Sequence, residues 1–598
     1  MVDQGGNLEL DEFRKRYPDK FATEKQVFSK IHPGNRIFIG TACAEPQYLV
    51  KALVNYVESN PKAFYDAEVF QVWTLGVAAY TQEKFKSNFR HNSFFIGDNT
   101  RDAVNAGLAD YTPIFLSQVP DLFRRGIVPV DVALIQTSLP DRHGYVNLGI
   151  SVDIVSEAVE KARLVIAQVN ANMPRVQGDG FLHISKIDYL IPYDEPVLEF
   201  NTLVNDEVAA RIGDYVSRLV QDGDTIQVGY GSRLNSILRS LKGKKQLGVH
   251  TELMSDGIVE LIKLGVIDNS KKKIDRGKTV ATFCMGRKET YDYIHDNPAI
   301  EFRTIEYTNN PLVIAQHDNM VAINSALEID LTGQATAESI GKTFYSGVGG
   351  QADFMRGAIL SRNGKTILTI QSTAQDDSVS RIVPFLSEGC GVTMIRGDIH
   401  YVVTEYGIAY LHGKNIRERA MELIAIAHPK FRPGLIEEAK KLNLIYKDQA
   451  FVPGKRGEYQ ESIETYKTTK SGLQLLFRPP KISDEPLVKD FFYSLSDQSL
   501  YRRFISSRKD IVVGIGQYGI GQDVHSAEVA FAVRDKEQKQ GIGTELLNYL
   551  IFLGKRNGLL AFVAEVLYEN RPMLTVFERA GFKVVSSGEG LYYLKLTL

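Results

Sequence analysis

Apolar and polar positions alternate between two periods along most of this chain. Short apolar runs of four to seven residues, among them Arg36-Ile37-Phe38-Ile39-Gly40, Val130–Gln136, Leu164–Val169, Thr225–Val228, Thr279–Phe283 and Met320–Asn324, read as strands. Between them lie stretches of helical spacing, such as the one opening at Tyr48-Leu49-Val50-Lys51-Ala52-Leu53-Val54 and the one over Glu207–Gln221. Strand and helix in turn predict α/β layers with largely parallel sheets, and ligand sites at the strand C-termini. Around Tyr446–Pro480 the chain turns polar and rich in Lys, Glu, Thr, Gly and Pro, which suits a linker. An α+β pattern follows to the C-terminus. The expected organisation is an α/β domain over 1–205, a second over 206–445, a linker over 446–472 and a small α+β domain over 473–598.

Composition narrows the function classes. The 598 residues exceed what one core supports. Lys+Arg 70 against Asp+Glu 72 leaves a formal charge of -2, so nothing global favours nucleic acid or an anionic membrane. Three cysteines without a CxxC pair argue against a disulfide framework or a structural zinc site, and no metal is expected. The start shows no basic and apolar leader, and no run of about 18 apolar residues occurs. A cytoplasmic protein is the expectation.

Two glycine-rich turns and one acid carry candidate chemistry. Gln227-Val228-Gly229-Tyr230-Gly231-Ser232 is a strand running into a G-x-G turn before a helix, where backbone N–H groups can approach a ligand. Gln246-Leu247-Gly248-Val249-His250-Thr251-Glu252 reads as a short strand ending at Glu252, with Asp256-Gly257 opening an apolar helix. Taken by itself, Glu252 is an ordinary strand-end acid or one that offsets a helix N-terminus. Ser346-Gly347-Val348-Gly349-Gly350-Gln351-Ala352-Asp353-Phe354 places three glycines in four positions before an amide and suits an oxyanion cradle.

These stretches occur in order with Ser255-Asp256-Gly257, Tyr307-Thr308-Asn309-Asn310-Pro311, Ile329–Gln334, Val402–Gly407 and Ile424–Pro429. In that order they resemble the acetyl-CoA hydrolase/transferase family, and most closely its 4-hydroxybutyrate CoA-transferase branch, over about residues 10–440. The resemblance implies a class I CoA-transferase fold with Glu252 as the carboxylate nucleophile. It implies oxyanion or CoA contact for Gly229, Gly231, Gly349 and Gly350, with Gln351 nearby. Substrates would be an acyl-CoA and a short-chain carboxylate, with CoA or acetyl-CoA passing through as substrate and no tightly bound cofactor. A homo-oligomer is expected. Hydrolysis of acetyl-CoA, with water replacing the acceptor acid, stays open at this point. One departure concerns the first turn: family members continue Gly-Ile-Gly with a small residue, Ile and Pro, whereas this chain has Tyr230, Ser232, Arg233 and Leu234. His250, sharing a strand face with Glu252, is read as a positioning residue, and Glu405 as packing at a strand end.

Near the C-terminus, Glu528–Val533 alternates as a strand and leads through Gln538-Lys539-Gln540-Gly541-Ile542-Gly543 into an apolar helix. A strand, Q-x-x-G-x-G turn and helix suit a pyrophosphate. With Asn570 and Glu578-Arg579-Ala580-Gly581-Phe582 the pattern resembles the GCN5-related N-acetyltransferase (GNAT) fold. That resemblance implies acetyl-CoA contacts at Val533, Gln538, Gly541, Gly543 and Asn570, with Glu528 a candidate base and a protein lysine or amine as acceptor. The module is shorter than its relatives near Asp510, which leaves open a sensor of acetyl-CoA rather than an enzyme. Gly514-Ile515-Gly516-Gln517-Tyr518-Gly519 spells a dinucleotide fingerprint but leads into another strand, so a hairpin is expected there.

Overall fold

The computed structural model describes residues 5–200, 206–447, 464–469, 471–479, 487–488, 490–491, 512–520, 526–556, 559–588 and 590–598. It divides into two compact units, Met1–Arg456 and Gly457–Leu598.

Two large sheets, with several two- and three-stranded ones beside them, make up the described part of the first unit. One has seven strands in the order Tyr189–Pro192, Leu164–Val169, Val132–Thr137, Arg36–Ile39, Ala67–Gln71, Phe89–Ser93 and Asp110–Tyr111, every neighbouring pair parallel. All six residues of Val132–Thr137 are buried, as expected of a central parallel strand covered on both faces. The second sheet has six strands in the order Gly248–Val249, Thr225–Val228, Met320–Ser325, Lys365–Thr369, Tyr401–Thr404 and Gly407–Tyr410. Only the last pair is antiparallel, joined through Glu405-Tyr406. Glu405 is buried there and accepts hydrogen bonds from the backbone N–H and hydroxyl of Ser372, the strand-end packing expected of it. One continuous apolar core links Phe38 and Ile135 of the first sheet to Ile226, Val321 and Ile367 of the second. The α/β layering expected from the two periods is the observed fold.

The helix Gln351–Leu360 connects the strands Met320–Ser325 and Lys365–Thr369. It buries Phe354, Met355 and Ala358 with Ile314, Met320, Ala322 and Leu368. Gly357 lets it pack close, since a Cβ there would come 2.5 Å from Ile314 Cβ. This crossover fixes where the helix begins, and therefore where Gly349 and Gly350 sit.

In the second unit a five-stranded sheet runs in the order Gly514–Ile520, Ser526–Val533, Ala561–Leu567, Leu591–Thr597 and Lys583–Gly588. Among the described residues, the helices Ile542–Arg556 and Arg571–Arg579 bury Leu547, Leu550, Leu574 and Phe577 against it. The strand Gly514–Ile520 pairs antiparallel with Ser526–Val533, so the GxGxxG run is a hairpin strand as expected. Part of the expected linker differs: Thr465–Thr468 pairs antiparallel with Gln474–Phe477. Leu475 and Phe477 there bury against Ile542, an apolar pair that the polar surroundings masked in the sequence. The shortened stretch around Asp510 falls outside the described residues. Among the described residues, no helix is long and apolar enough to cross a membrane.

Candidate active site

Glu252 does not end a strand. It occupies a bend between Gly248–Val249, in the six-stranded sheet, and Leu253–Met254, which pairs with Phe283–Cys284. The chain changes sheets at this point. The His250 N–H donates to Ile226 O at 3.2 Å, the Thr251 N–H to Val280 O at 3.0 Å, and the Glu252 carbonyl accepts from Thr282 N at 3.0 Å. Backbone bonds on both sides thus hold the bend while the side chain projects from it.

The carboxylate meets two partners brought from distant parts of the chain. Asn309 Nδ2 donates to Glu252 Oε2 at 2.5 Å. Thr308 Oγ1 donates to Asn309 Oδ1 at 3.2 Å, which turns the amide nitrogen toward the acid. Gly350 closes the other side. A Cβ there would fall inside the envelopes of Glu252 Oε2 and Asn309 Nδ2, with Glu252 Cδ only 2.8 Å away. Gly350 caps the helix Gln351–Leu360, so the acid faces the positive end of a ten-residue helix. Gln351 opens that helix, and its Nε2 is buried with no partner among the described residues.

The glycine loop is itself held by the other half of the unit. Gly349, at φ +59, lies 3.1 Å by its would-be Cβ from the Phe95 ring and bridges Phe115. The Val348 N–H donates to Tyr111 Oη at 3.1 Å, and the Ile96 N–H to Ser346 O at 3.2 Å. Ser117 donates from Oγ to Asp353 Oδ1 at 2.9 Å, and from its N–H to Oδ2 at 3.2 Å.

Electrostatics follow from burial. Although Glu252 is only part-buried as a residue, protein surrounds its carboxyl group. Loss of water pushes it up to about 7; the Asn309 hydrogen bond pulls it back, and the charges of Asp353 and Asp153 push it further. Burial likewise raises Asp353 to about 7, against the bonds from Ser117, and Asp153 to about 6. Three carboxyl groups therefore share one weakly solvated region, and Glu252 titrates near neutrality.

Gly229 and Gly231 lie beside this centre rather than in contact with the acid. Thr251 Oγ1 reaches Val228 O at 3.5 Å. The G-x-G turn lines a small cleft with Phe200, Tyr230, Leu253, Ser255 and Met285. Tyr230 stands edge-on to Trp73, centroids 4.4 Å apart, and 5.4 Å from Phe200. The Arg233 side chain lies outside the described residues. His250 is fully buried and its Nε2 bonds the carbonyl of Thr308, the neighbour of Asn309, at 2.8 Å, which suits a positioning role.

The chain matches the acetyl-CoA hydrolase/transferase N-terminal domain over residues 6–200 and the C-terminal domain over 286–439. It is 48% identical over 430 residues to the 4-hydroxybutyrate coenzyme A transferase of Clostridium kluyveri, covering 72% of this chain and 99% of that one. The chain belongs to the acetyl-CoA hydrolase/transferase family. Identity is 43% over 427 residues to the succinyl-CoA:acetate/propanoyl-CoA:succinate CoA transferase of Fasciola hepatica, covering 71% and 88% of the two chains. The crystal structure of RipA from Yersinia pestis superposes with a TM-score of 0.67 at 35% identity, over 73% of this chain and all of that one. The protein is an enzyme of the CoA-transferase type. Residues 471–582 match the acetyltransferase (GNAT) family, so this CoA-transferase carries a GNAT domain at its C-terminus.

In that domain the strands Ser526–Val533 and Ala561–Leu567 run parallel and pair only from Ser526↔Ala561 to Glu528↔Val563. Beyond Glu528 they part, and among the described residues no strand pairs with the backbone up to Val533 on that side. The exposed Glu528 stands at this fork. Gln538 Nε2 donates to Val533 O at 3.3 Å and folds the turn back on its strand. Gly541, at φ +87, leads into the helix Ile542–Arg556. Asn570 caps the next helix by accepting from Met573 N at 3.2 Å.

Sequence reasoning missed Asn309, Asp353 and Asp153 as parts of the acid's surroundings. Asn309 and Asp353 lay inside motifs already singled out. Their convergence on Glu252 depends on how the two sheets cross-connect, which no local pattern encodes.

Proposed function

We propose that this enzyme moves CoA between a short-chain acyl-CoA, acetyl-CoA among them, and a free carboxylate, with Glu252 as nucleophile. What supports this reading is the placement of the Glu252 carboxylate against Gly350 at a helix N-terminus, held by Asn309. A Glu252 oxygen attacks the thioester carbonyl, the C–S bond breaks, and CoA thiolate leaves an acyl–glutamyl anhydride. The thiolate then attacks the glutamyl carbonyl and expels the acyl group as a carboxylate. Glutamyl-CoA remains, and a second carboxylate reverses the steps. No external base is needed, since the nucleophile is already anionic above its raised pKa. Each addition develops an oxyanion, for which the N–H groups of Gly350 and Gln351 and the free amide of Gln351 are the supporting donors.

Gly229 and Gly231 line the cleft that we assign to the substrate, with Tyr230, Trp73 and Phe200 limiting its depth to short acyl groups. The GNAT domain binds acetyl-CoA, its pyrophosphate on the turn Gln538–Gly543 and its pantetheine in the strand fork beside Val533 and Asn570. Glu528, exposed at the fork, is the base we assign to an amine acceptor.

Incubation with acetyl-CoA, followed by borohydride or hydroxylamine and peptide mass spectrometry, tests the nucleophile. A mass change confined to the peptide holding Glu252 is expected, and full activity in Glu252→Ala would overturn the assignment. Thiol release measured with and without added carboxylate separates CoA transfer from hydrolysis.

A further inference from the structure

Directly behind the acid lies a group of side chains that the transfer chemistry does not use. His250, Asp275 and His317 come from three separate stretches, yet each offers a ligand atom within 4.8 Å of the other two. Both imidazoles are fully buried, their centroids 4.6 Å apart. His250 Nε2 faces the Thr308 carbonyl at 2.8 Å, so it carries the proton and leaves the Nδ1 lone pair free. Among the described residues that Nδ1 has no hydrogen-bond partner, and neither ring nitrogen of His317 has one. The Asp275 carboxylate accepts from Tyr307 Oη at 3.0 and 2.9 Å, which fixes its orientation.

Three buried imidazole nitrogens left without partners are costly, because each has lost its water and gained no bond in return. A histidine that donates one N–H to a carbonyl while its other nitrogen is free, beside a carboxylate held by a phenol, is the arrangement metal sites use to orient ligands. Two imidazoles and one carboxylate suit a borderline divalent ion, zinc foremost. A tetrahedral ion with bonds near 2.1 Å spaces its ligands about 3.4 Å apart, so the three side chains need close by only about an ångström. The positive groups nearby are Lys272 and Arg303. Lys272 Nζ is buried and donates to Val249 O at 2.9 Å and Lys278 O at 2.7 Å. Arg303 lies over the Tyr307 ring and pairs with Asp179 at 3.0 Å.

We infer that His250, His317 and Asp275 bind one divalent transition-metal ion, of the zinc class, as a structural pin behind the nucleophile. The ion would tie together the bend that carries Glu252, the loop holding Asp275, and the segment that carries Asn309. The transfer steps proposed above do not pass through it, so its role is positioning. The sequence hid the cluster because positions 250, 275 and 317 have no metal-ligand spacing.

The test uses the full-length enzyme without a histidine tag, purified without chelator. Elemental analysis is expected to find about one zinc ion per chain. Stripping the ion with a chelator should lower the melting temperature, and added Zn²⁺ should restore it in proportion to concentration. Cobalt substitution should give the visible absorption of a tetrahedral site. His317→Asn and Asp275→Asn should each lose the ion, with the cobalt bands abolished. Metal-free wild-type protein whose melting temperature ignores added Zn²⁺ and Co²⁺ would overturn the proposal, with no variant needed. So would a bound ion that survives in His317→Asn. Neither readout depends on transferase activity, so failure here is distinguishable from failure of Glu252 as nucleophile.

Discussion

Replacing Asn309 with alanine removes the side-chain hydrogen bond that, among the described residues, holds the Glu252 carboxylate in its ionised form. A hydrogen bond to a charged group is worth about 1.5–3 kcal/mol. At 1.36 kcal/mol per unit, its loss raises the carboxyl by roughly 1–2 pH units. Starting from about 7, the ionised fraction at pH 7 falls from about one half to between one tenth and one hundredth. The expected loss in kcat/KM at that pH is therefore roughly 5- to 50-fold, and it should shrink as the pH rises. Because Asp353 titrates in the same range, the acid limb belongs to the coupled pair. Asp353→Asn supplies the opposite sign: removing a like charge should move the limb to lower pH. The assay is CoA transfer from acetyl-CoA to a carboxylate acceptor, followed by chromatography of the acyl-CoA product across the pH range. An Asn309→Ala enzyme that loses the same factor at every pH, with its limb unmoved, would refute the argument.

Four further outcomes are expected. Gly350→Ala introduces no backbone strain at φ -88, yet its methyl collides with the Glu252 carboxyl and the Asn309 amide; transfer should fall at least about 100-fold with the melting temperature little changed. Glu252→Gln should be more stable than wild type at pH 8. A folded pKa raised from 4.5 to about 7 means that protonation favours the folded chain below 4.5, and that this contribution is lost as pH rises through 7. The melting-temperature difference should accordingly grow between those limits, for roughly 3 kcal/mol in all, and calorimetry against pH measures it. Tyr230→Ala should widen the cleft beside Gly229 and shift preference toward longer acyl groups by at least about tenfold in relative kcat/KM. Gly541→Ala, at φ +87, should remove one of two sites seen in titrations with a thioether analogue of acetyl-CoA, leaving CoA transfer intact.

Much of the fold was legible because parallel strands buried on both faces write themselves as apolar runs. Leu164–Val169 and Thr225–Val228 are examples, and they fell where expected. Glu252 was a different matter. Local pattern made it a strand-end acid, whereas it sits in a bend where the chain passes from one sheet to another, a change that alternation cannot register. The glycines at 349 and 350 were visible as a cradle, but not the reason for them. Gly349 needs a positive φ beside the Phe95 ring, and Gly350 has a carboxylate where its side chain would be. Thr465–Thr468 was hidden in a polar stretch because it is an exposed hairpin strand whose anchoring residues, Leu475 and Phe477, come from its partner.

The glycine loop's attachment to the first half of the unit also sets a timetable. Phe344 exchanges backbone hydrogen bonds with the Asn105 side chain, 239 positions earlier in the chain. At about 5–20 residues per second of synthesis, roughly 10–50 s separate the emergence of these two partners from the ribosome. The docking surface at Phe95, Tyr111 and Phe115 is therefore synthesised well before the loop that covers it. On the mechanism proposed above, a nascent chain interrupted between these two points carries the docking surface but lacks Gly350 beside Glu252, and should not transfer CoA.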